Sequence, residues 1–165
     1  MPLTLRFPTA EDETAVRALH EQLLADDFSF VLDEGTWSDV LDAVEHASRG
    51  ENLAPGFVRA DYLLAEVAGE VVGRSSIRYA LTDYLLRVGG HVGYAVGPAF
   101  RRRGYATEIL RQSVARLNAA GVDRVLVVCA DDNAASAATI EACGGVLENV
   151  VPDRDGRPVR RYWIG

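Results

Sequence analysis

The stretch VGPAFRRRGYATEIL holds three consecutive arginines, Arg101, Arg102 and Arg103, followed at once by Gly104 and two residues later by Ala106. An apolar run precedes it and a helical pattern follows. Those types in that order suit an anion. A strand that passes through a loop straight into a helix aims several main-chain N–H groups at one point, without intrahelical partners, and the helix dipole favours negative charge there. Gly104 lets the backbone come close to a bulky phosphate, Ala106 keeps the next turn small, and the arginines add charged donors. The stretch is not a Walker loop, because G-x-x-x-x-G-K-[ST] occurs nowhere and the chain contains no lysine. Nor is it a dinucleotide fingerprint, since no G-x-G-x-x-G follows a strand. A run of arginines is more often a solvated patch. Here the Gly-x-Ala spacing and the helix start favour a ligand.

The elements that must position this loop can be read from periodicity. LTLRF alternates like a strand, and Thr9 with Asp12 three residues on forms a capping box for a helix to about Asp26, with Ala15, Leu19, Leu23 and Leu24 as its buried stripe. A second helix starts after Thr36, with Asp39 three residues on; Val40, Leu41 and Val44 fit its period and Gly50 stops it. Acids gather around these helices (Asp26, Asp27, Asp33, Glu34, Asp39, Asp42, Glu45), as on a solvated face. DYLLAEVAGEVVGRSSIRYA reads as a hairpin turning at AGE, TDYLLRVGG as a connector with one helical turn, and HVGYAVGP as a strand ended by Gly97 and Pro98. A helix from about Gly104 to Ala120 presents Ile109, Leu110, Val114 and Leu117 on one face before Gly121. RVLVVCA is an unbroken apolar run of the kind that parallel, doubly covered strands show. NAASAATIEACGG supplies another helix, and VLENVV and VRRYWI flank PDRDGRP as a second hairpin. The order is β, α, α, β, β, β, α, β, α, β, β, which predicts one mixed α/β sheet.

Composition narrows the functions. A chain of 165 residues fits a single domain over 1–165, and 48% hydrophobic with 25% charged residues is globular composition. No apolar run reaches a membrane span and the N-terminus lacks the order of a signal peptide, so the expected setting is cytoplasmic, without membrane partners. Cys129 and Cys143 read as reduced, buried thiols, and His20, His46 and His91 are too scattered for a metal, so none is expected. A formal charge of −7 disfavours nucleic acid and would tolerate or attract a cationic small molecule.

Arg101-x-x-Gly104-x-Ala106 between a strand and a helix resembles the pyrophosphate-binding motif of the GNAT superfamily of acetyl-CoA-dependent N-acetyltransferases. The resemblance extends over nearly the whole chain. Its element order is that of the superfamily, whose fold is a mixed α/β (α+β) architecture. That implies a central sheet of about seven strands, splayed between the fourth and fifth, with about four helices and coenzyme A in the split. VLVVCADDNAASAATIEACGG also resembles the superfamily's fifth strand and next helix, where an asparagine and a small residue three positions on contact the cofactor; here these are Asn133 and Ser136, types that equally suit a helix cap. DYLLRVGGHVGYAV with the arginine loop, and the ending GGVLENVV with RRYWI, resemble a bacterial subgroup of predicted acetyltransferases.

The resemblance implies that main-chain groups of Ala95 and Val96 hold the acetyl-pantetheine arm and that amides of Arg103, Gly104, Tyr105, Ala106 and Thr107 hold the pyrophosphate. It implies acetyl transfer from acetyl-CoA to a primary amine of a small molecule or peptide, and dimers are common in the superfamily. His91 stands where several relatives carry a glutamate, and an imidazole with a pKa near ~6.5 suits taking a proton from an ammonium; alternatively it only hydrogen-bonds a neighbour. Tyr94 and Glu66 are the further candidate bases, and strict alternation puts His91 and Tyr94 on opposite faces. The tyrosine that many relatives place seven residues after the asparagine, to protonate the departing thiolate, is here Ile140. Tyr105, Ser136 or Cys143 could substitute, or the thiolate could leave into water. A second reading is a non-catalytic acyl-CoA-binding or sensor module.

Overall fold

The computed structural model describes residues 2–24 and 35–165. Among these, seven strands and four α-helices follow the order read from the sequence: β1 (Leu3–Arg6), α1 (Glu13–Leu24), α2 (Trp37–Arg49), β2 (Ala60–Val67), β3 (Glu70–Arg78), β4 (Val92–Val96), α3 (Tyr105–Ala119), β5 (Val125–Ala130), α4 (Ala134–Ala142), β6 (Val146–Pro152) and β7 (Pro158–Ile164).

Local chemistry sets the helix starts. The Asp12 carboxylate accepts both the main-chain N–H of Thr9, at 2.7 Å, and its hydroxyl, at 3.1 Å. A 3-10 turn over Ala10–Asp12 then leads into α1. At α2 the box is reciprocal: the Asp39 amide donates to Thr36 Oγ1 at 3.1 Å and the Thr36 amide to Asp39 Oδ2 at 3.0 Å, worth about 1 kcal/mol. The buried stripe of α1 differs from the expected one. Val16, Leu19 and Leu23 are buried, whereas Ala15 and Leu24 face solvent. Val16, Leu19 and Leu23 stand at i, i+3 and i+7 on one helical face, and Ala15 falls at the solvent edge of that stripe. The expected acids Asp26, Asp27, Asp33 and Glu34, and the end of that helix at Asp26, lie outside the described residues.

The β2–β3 hairpin closes through Ala68 (φ 52°) and Gly69 (φ 82°), the doubly left-handed pair that matches strand twist. β1, β2, β3 and β4 form one antiparallel sheet in that order, and β5, β7 and β6 a second. The ladder partner of β5 is thus antiparallel β7, not a parallel strand. Its unbroken apolar run reflects burial on both faces, since the successive residues Val125, Leu126 and Val127 are all fully buried.

Helices cover both faces. Leu110 and Leu117 of α3 and Ala137 and Ile140 of α4 pack on Leu63, Ile77, Val92, Val125, Val127 and Tyr162. On the opposite face Val16, Leu19 and Leu23 of α1 and Trp37, Val40 and Val44 of α2 pack on Tyr62, Leu64 and Val71. Each fully buried leucine or isoleucine contributes about 1.5–3 kcal/mol. No helix among the described residues is long and apolar enough to cross a membrane.

Candidate active site

The two sheets meet at one point. The His91 amide donates to the Leu126 carbonyl at 2.8 Å, and the Leu126 amide donates back to the Nδ1 of His91 at 2.9 Å. Gly90 makes the approach possible: its φ is +72°, and a Cβ there would stand 2.7 Å from the Leu126 carbonyl oxygen. From this clasp β4 and β5 run in the same direction, Tyr94 packing on the cluster that holds Cys129, yet no ladder joins them. The result is a wedge-shaped opening whose apex is His91.

Alternation decides which main-chain groups face the opening. The Gly97 amide donates to the Val72 carbonyl of β3, and the Ala95 carbonyl lies against Gly73, so Gly93, Ala95 and Gly97 turn their polar groups toward β3. Tyr94 and Val96 turn theirs toward β5. Of the two residues expected to hold an extended ligand arm, Val96 faces the gap and Ala95 does not.

At the mouth of the wedge, the loop residue Arg102 (φ 64°) and Gly104 (φ 81°) both adopt left-handed backbone, the alternation that turns successive N–H groups inward. The first helical bond of α3 runs from the Glu108 amide to the Gly104 carbonyl, so the amides of Tyr105, Ala106 and Thr107 precede the ladder, and no side chain caps them. A Cβ on Gly104 would meet nothing within 4 Å. Open space thus borders the backbone at Gly104, where α3 starts. Arg101, Arg102 and Arg103 are exposed around it, Arg103 reaching back to the Ala99 carbonyl. A diphosphate fits this chemistry.

Asn133 and Ser136 stand across the wedge at the start of α4. Asn133 Oδ1 accepts the Ser136 amide at 3.0 Å, which realises the cap. The Ser136 hydroxyl pairs with the Tyr94 hydroxyl at 2.9 Å, a bond that crosses from β4 to α4. Burial pushes the Tyr94 phenol up to about 12, with Ser136 acting the other way. Ile140 is fully buried in the core, and Cys143 Sγ rests 3.5 Å from the Thr107 carbonyl.

The candidate bases are not brought together. Tyr94 points to the α3/α4 face. His91 sits at the apex with Nδ1 filled by the Leu126 amide, so its neutral ring carries the proton on Nε2 and has no free lone pair. Glu66 lies on β2, with β3 between it and β4, and accepts from Arg6 Nε at 2.7 Å. Sequence reasoning missed Arg74 and Arg78, buried or half-buried on β3. They stand four residues apart on β3 and so share a face, but the same hairpin also carries Asp61, Glu66, Glu70, Ser75 and Ser76, among which two arginines do not stand out.

The clasp predicts a pH dependence. Burial, and secondarily the Arg78 charge, hold His91 below the usual histidine range. The unfolded chain therefore binds a proton that the folded ring refuses, and stability falls as pH drops from about 6.5 through the folded value, by at most about 1.4 kcal/mol per pH unit. Urea unfolding from pH 7.5 to 5.0 should show this slope, and His91→Asn, which keeps an acceptor without titrating, should remove it. An equal slope in both proteins would refute the clasp.

The model of the acetyltransferase (GNAT) domain family matches residues 2–146. A 66-residue stretch is 32% identical to the uncharacterized N-acetyltransferase YfmK of Bacillus subtilis, covering 40% of this chain and 45% of that protein, so the chain spans less than half of this curated relative. Among solved structures, RimJ of Mycobacterium smegmatis, in complex with CoA-disulfide, superposes with a TM-score of 0.77 at 18% identity, over 98% of this chain and 81% of that one. The putative acetyltransferase yncA of Salmonella typhimurium, with acetyl-CoA, gives 0.70 at 17% identity, over 98% and 92%. These likenesses are of fold. With the family model spanning most of its length, and a wedge between two half-sheets above an uncapped helix start, the chain belongs to the acetyltransferase (GNAT) domain family.

Proposed function

We propose that this protein moves the acetyl group of acetyl-CoA to a primary amine of a small molecule or peptide. The observation that carries the reading is the set of uncapped amides at Tyr105, Ala106 and Thr107 beside open space at Gly104. Those amides, with Arg103 and Gly104, would hold the diphosphate, and the side chains of Arg101, Arg102 and Arg103 would add charge to it. Val96 and Tyr94 would bind the extended arm through their main chain, flanked by Asn133 and Ser136. The bound group supplies an activated thioester acyl.

The chain's residues divide the remaining work between two faces. A main-chain N–H of β4 directed into the wedge polarises the acyl oxygen. The amine enters from the α1/α2 side, where Gly93 and Ala95 present little or no side chain. On the other side the Tyr94 hydroxyl, protonated at neutral pH and oriented by Ser136, gives its proton to the departing sulfur. Tyr94 thus acts as an acid rather than a base, and takes the task that Ile140 cannot perform. Since His91 is filled and Glu66 is paired with Arg6, the amine loses its proton to water. The free thiols Cys129 and Cys143 agree with a reducing, cytoplasmic setting.

Two measurements test the reading. Coenzyme A at 100 times its Kd should stabilise the protein by about 2.7 kcal/mol, and acetyl-CoA with a panel of amines should release coenzyme A. No thermal shift would overturn cofactor binding; a shift with no turnover of any amine would favour the sensor module instead.

A further inference from the structure

Helix α3 lies along β3 with matched spacing. Ile109, Ser113 and Leu117 follow one another every four residues on the buried face of the helix, and Gly73, Ser75 and Ile77 every two on the strand face beneath. Ile109 Cδ1 stands 3.2 Å from the point that a Cβ on Gly73 would occupy, the Ser113 and Ser75 hydroxyls meet at 2.8 Å, and Leu117 and Ile77 share one core cluster. Four helical residues rise about 6 Å and two strand residues about 6.6–6.8 Å, so the two rows keep step.

Rows in step permit sliding. Moving α3 by one step along β3 would still bury its isoleucine and leucines, because the hydrophobic effect has no direction. The serines break this degeneracy. α3 buries Ile109, Leu110, Ser113 and Leu117, and both Ser113 and Ser75 are 0% exposed. The Ser113 hydroxyl donates to the Ile109 carbonyl at 2.7 Å, which leaves its oxygen to accept the Ser75 hydroxyl. Sliding would part the two while keeping both from water, the costly case for a polar group. Another tie of α3, from Gln112 Nε2 to the Leu3 carbonyl at 2.9 Å, is only half-buried and reaches the edge strand β1, where water can take its place.

Ser75 also has a position in the site. Its direct partner on β4 is Tyr94, whose main chain faces the wedge. Ser113 stands eight residues, about 12 Å, along α3 from Tyr105, where the uncapped amides begin. The serine pair thus joins the two places that one cofactor must reach at once. A slide of one step would move the amides about 6 Å relative to Tyr94, whereas a misplacement of about 1 Å can already cost a hundredfold in rate.

We propose that Ser75 and Ser113 form a register peg, a pair of positioning residues that sets the span between the diphosphate amides of α3 and the wedge beside Tyr94. This rests on the acetyl-transfer reading above. Neither serine touches the cofactor; both act through the placement of α3.

The test uses the full chain and two ligands, coenzyme A and its nucleotide half ending at the diphosphate. The ratio of their affinities reports how well the arm reaches the wedge while the diphosphate is seated. Removing one serine leaves the other with an unmet bond, but Ser75→Ala combined with Ser113→Ala removes both partners and should leave folding nearly unaffected. In calorimetric titrations of this double variant, the nucleotide half should bind within twofold of wild type, while the advantage of coenzyme A over it should fall at least tenfold. Where the double variant loses its cooperative melt, Ser75→Ala alone decides: it keeps the Ser113 bond to Ile109 and should lower that advantage at least threefold. Equal weakening of both ligands, or no change in either, overturns the peg and leaves acetyl transfer standing. Failure of the wild-type protein to bind the nucleotide half removes the diphosphate site on which the reading itself stands.

Discussion

Gly104→Glu is expected to weaken coenzyme A binding at least a hundredfold, a loss of about 2.7 kcal/mol or more, while the protein stays folded. Two effects combine. The residue sits at φ +81°, where a side chain costs about 1–2 kcal/mol in backbone strain. A Cβ there meets no atom within 4 Å, so the fold tolerates the substitution, but the added carboxylate stands over the amides that would receive the diphosphate. It satisfies those amides from within the chain and repels the ligand's charge. Gly104→Ala separates the effects: it carries the same strain without the charge and should lower affinity less than tenfold. Calorimetric titration with coenzyme A would measure both, and an unchanged affinity in Gly104→Glu would place the diphosphate elsewhere.

The capping boxes at Thr9 and Thr36, the hairpin turning at Gly69, and the helix opening at Gly104 are all legible in the amino-acid sequence. They rest on interactions between residues close along the chain, which local chemistry dictates. The β5 pairing is not legible in that way. An apolar run records that both faces are covered, and cannot say whether a parallel or an antiparallel neighbour covers its edges. The roles of single site residues are also hidden, because they depend on partners far along the chain. His91 is filled by Leu126, Glu66 is held by Arg6, and Tyr94 is bonded to Ser136. Which of Ala95 and Val96 faces the wedge depends on the register with β3. Arg74 and Arg78 escape notice because polar residues in a hairpin pass for ordinary alternation.

Tyr94→Phe isolates the proton transfer. The ring is retained, so the packing of β4 against the α3/α4 core persists, and only the hydroxyl bonded to Ser136 is lost. Leaving the Ser136 hydroxyl with one partner fewer should cost about 1 kcal/mol of stability. If the phenol protonates the departing sulfur, kcat should fall about a hundredfold, at the lower end of what a positioned acid contributes, with coenzyme A affinity within threefold of wild type. Ser136→Ala should fall less, since it only orients the donor. A merely structural Tyr94 would make the two variants alike in stability and nearly alike in rate. A spectroscopic and kinetic control comes from replacing Tyr94 with a fluorinated tyrosine: fluorine acidifies the phenol, now held at about 12 by burial, and should bring the alkaline fall in kcat to lower pH. A Tyr94→Phe enzyme within twofold of wild type would return the sulfur's proton to solvent and leave the bond to Ser136 as a strut between β4 and α4.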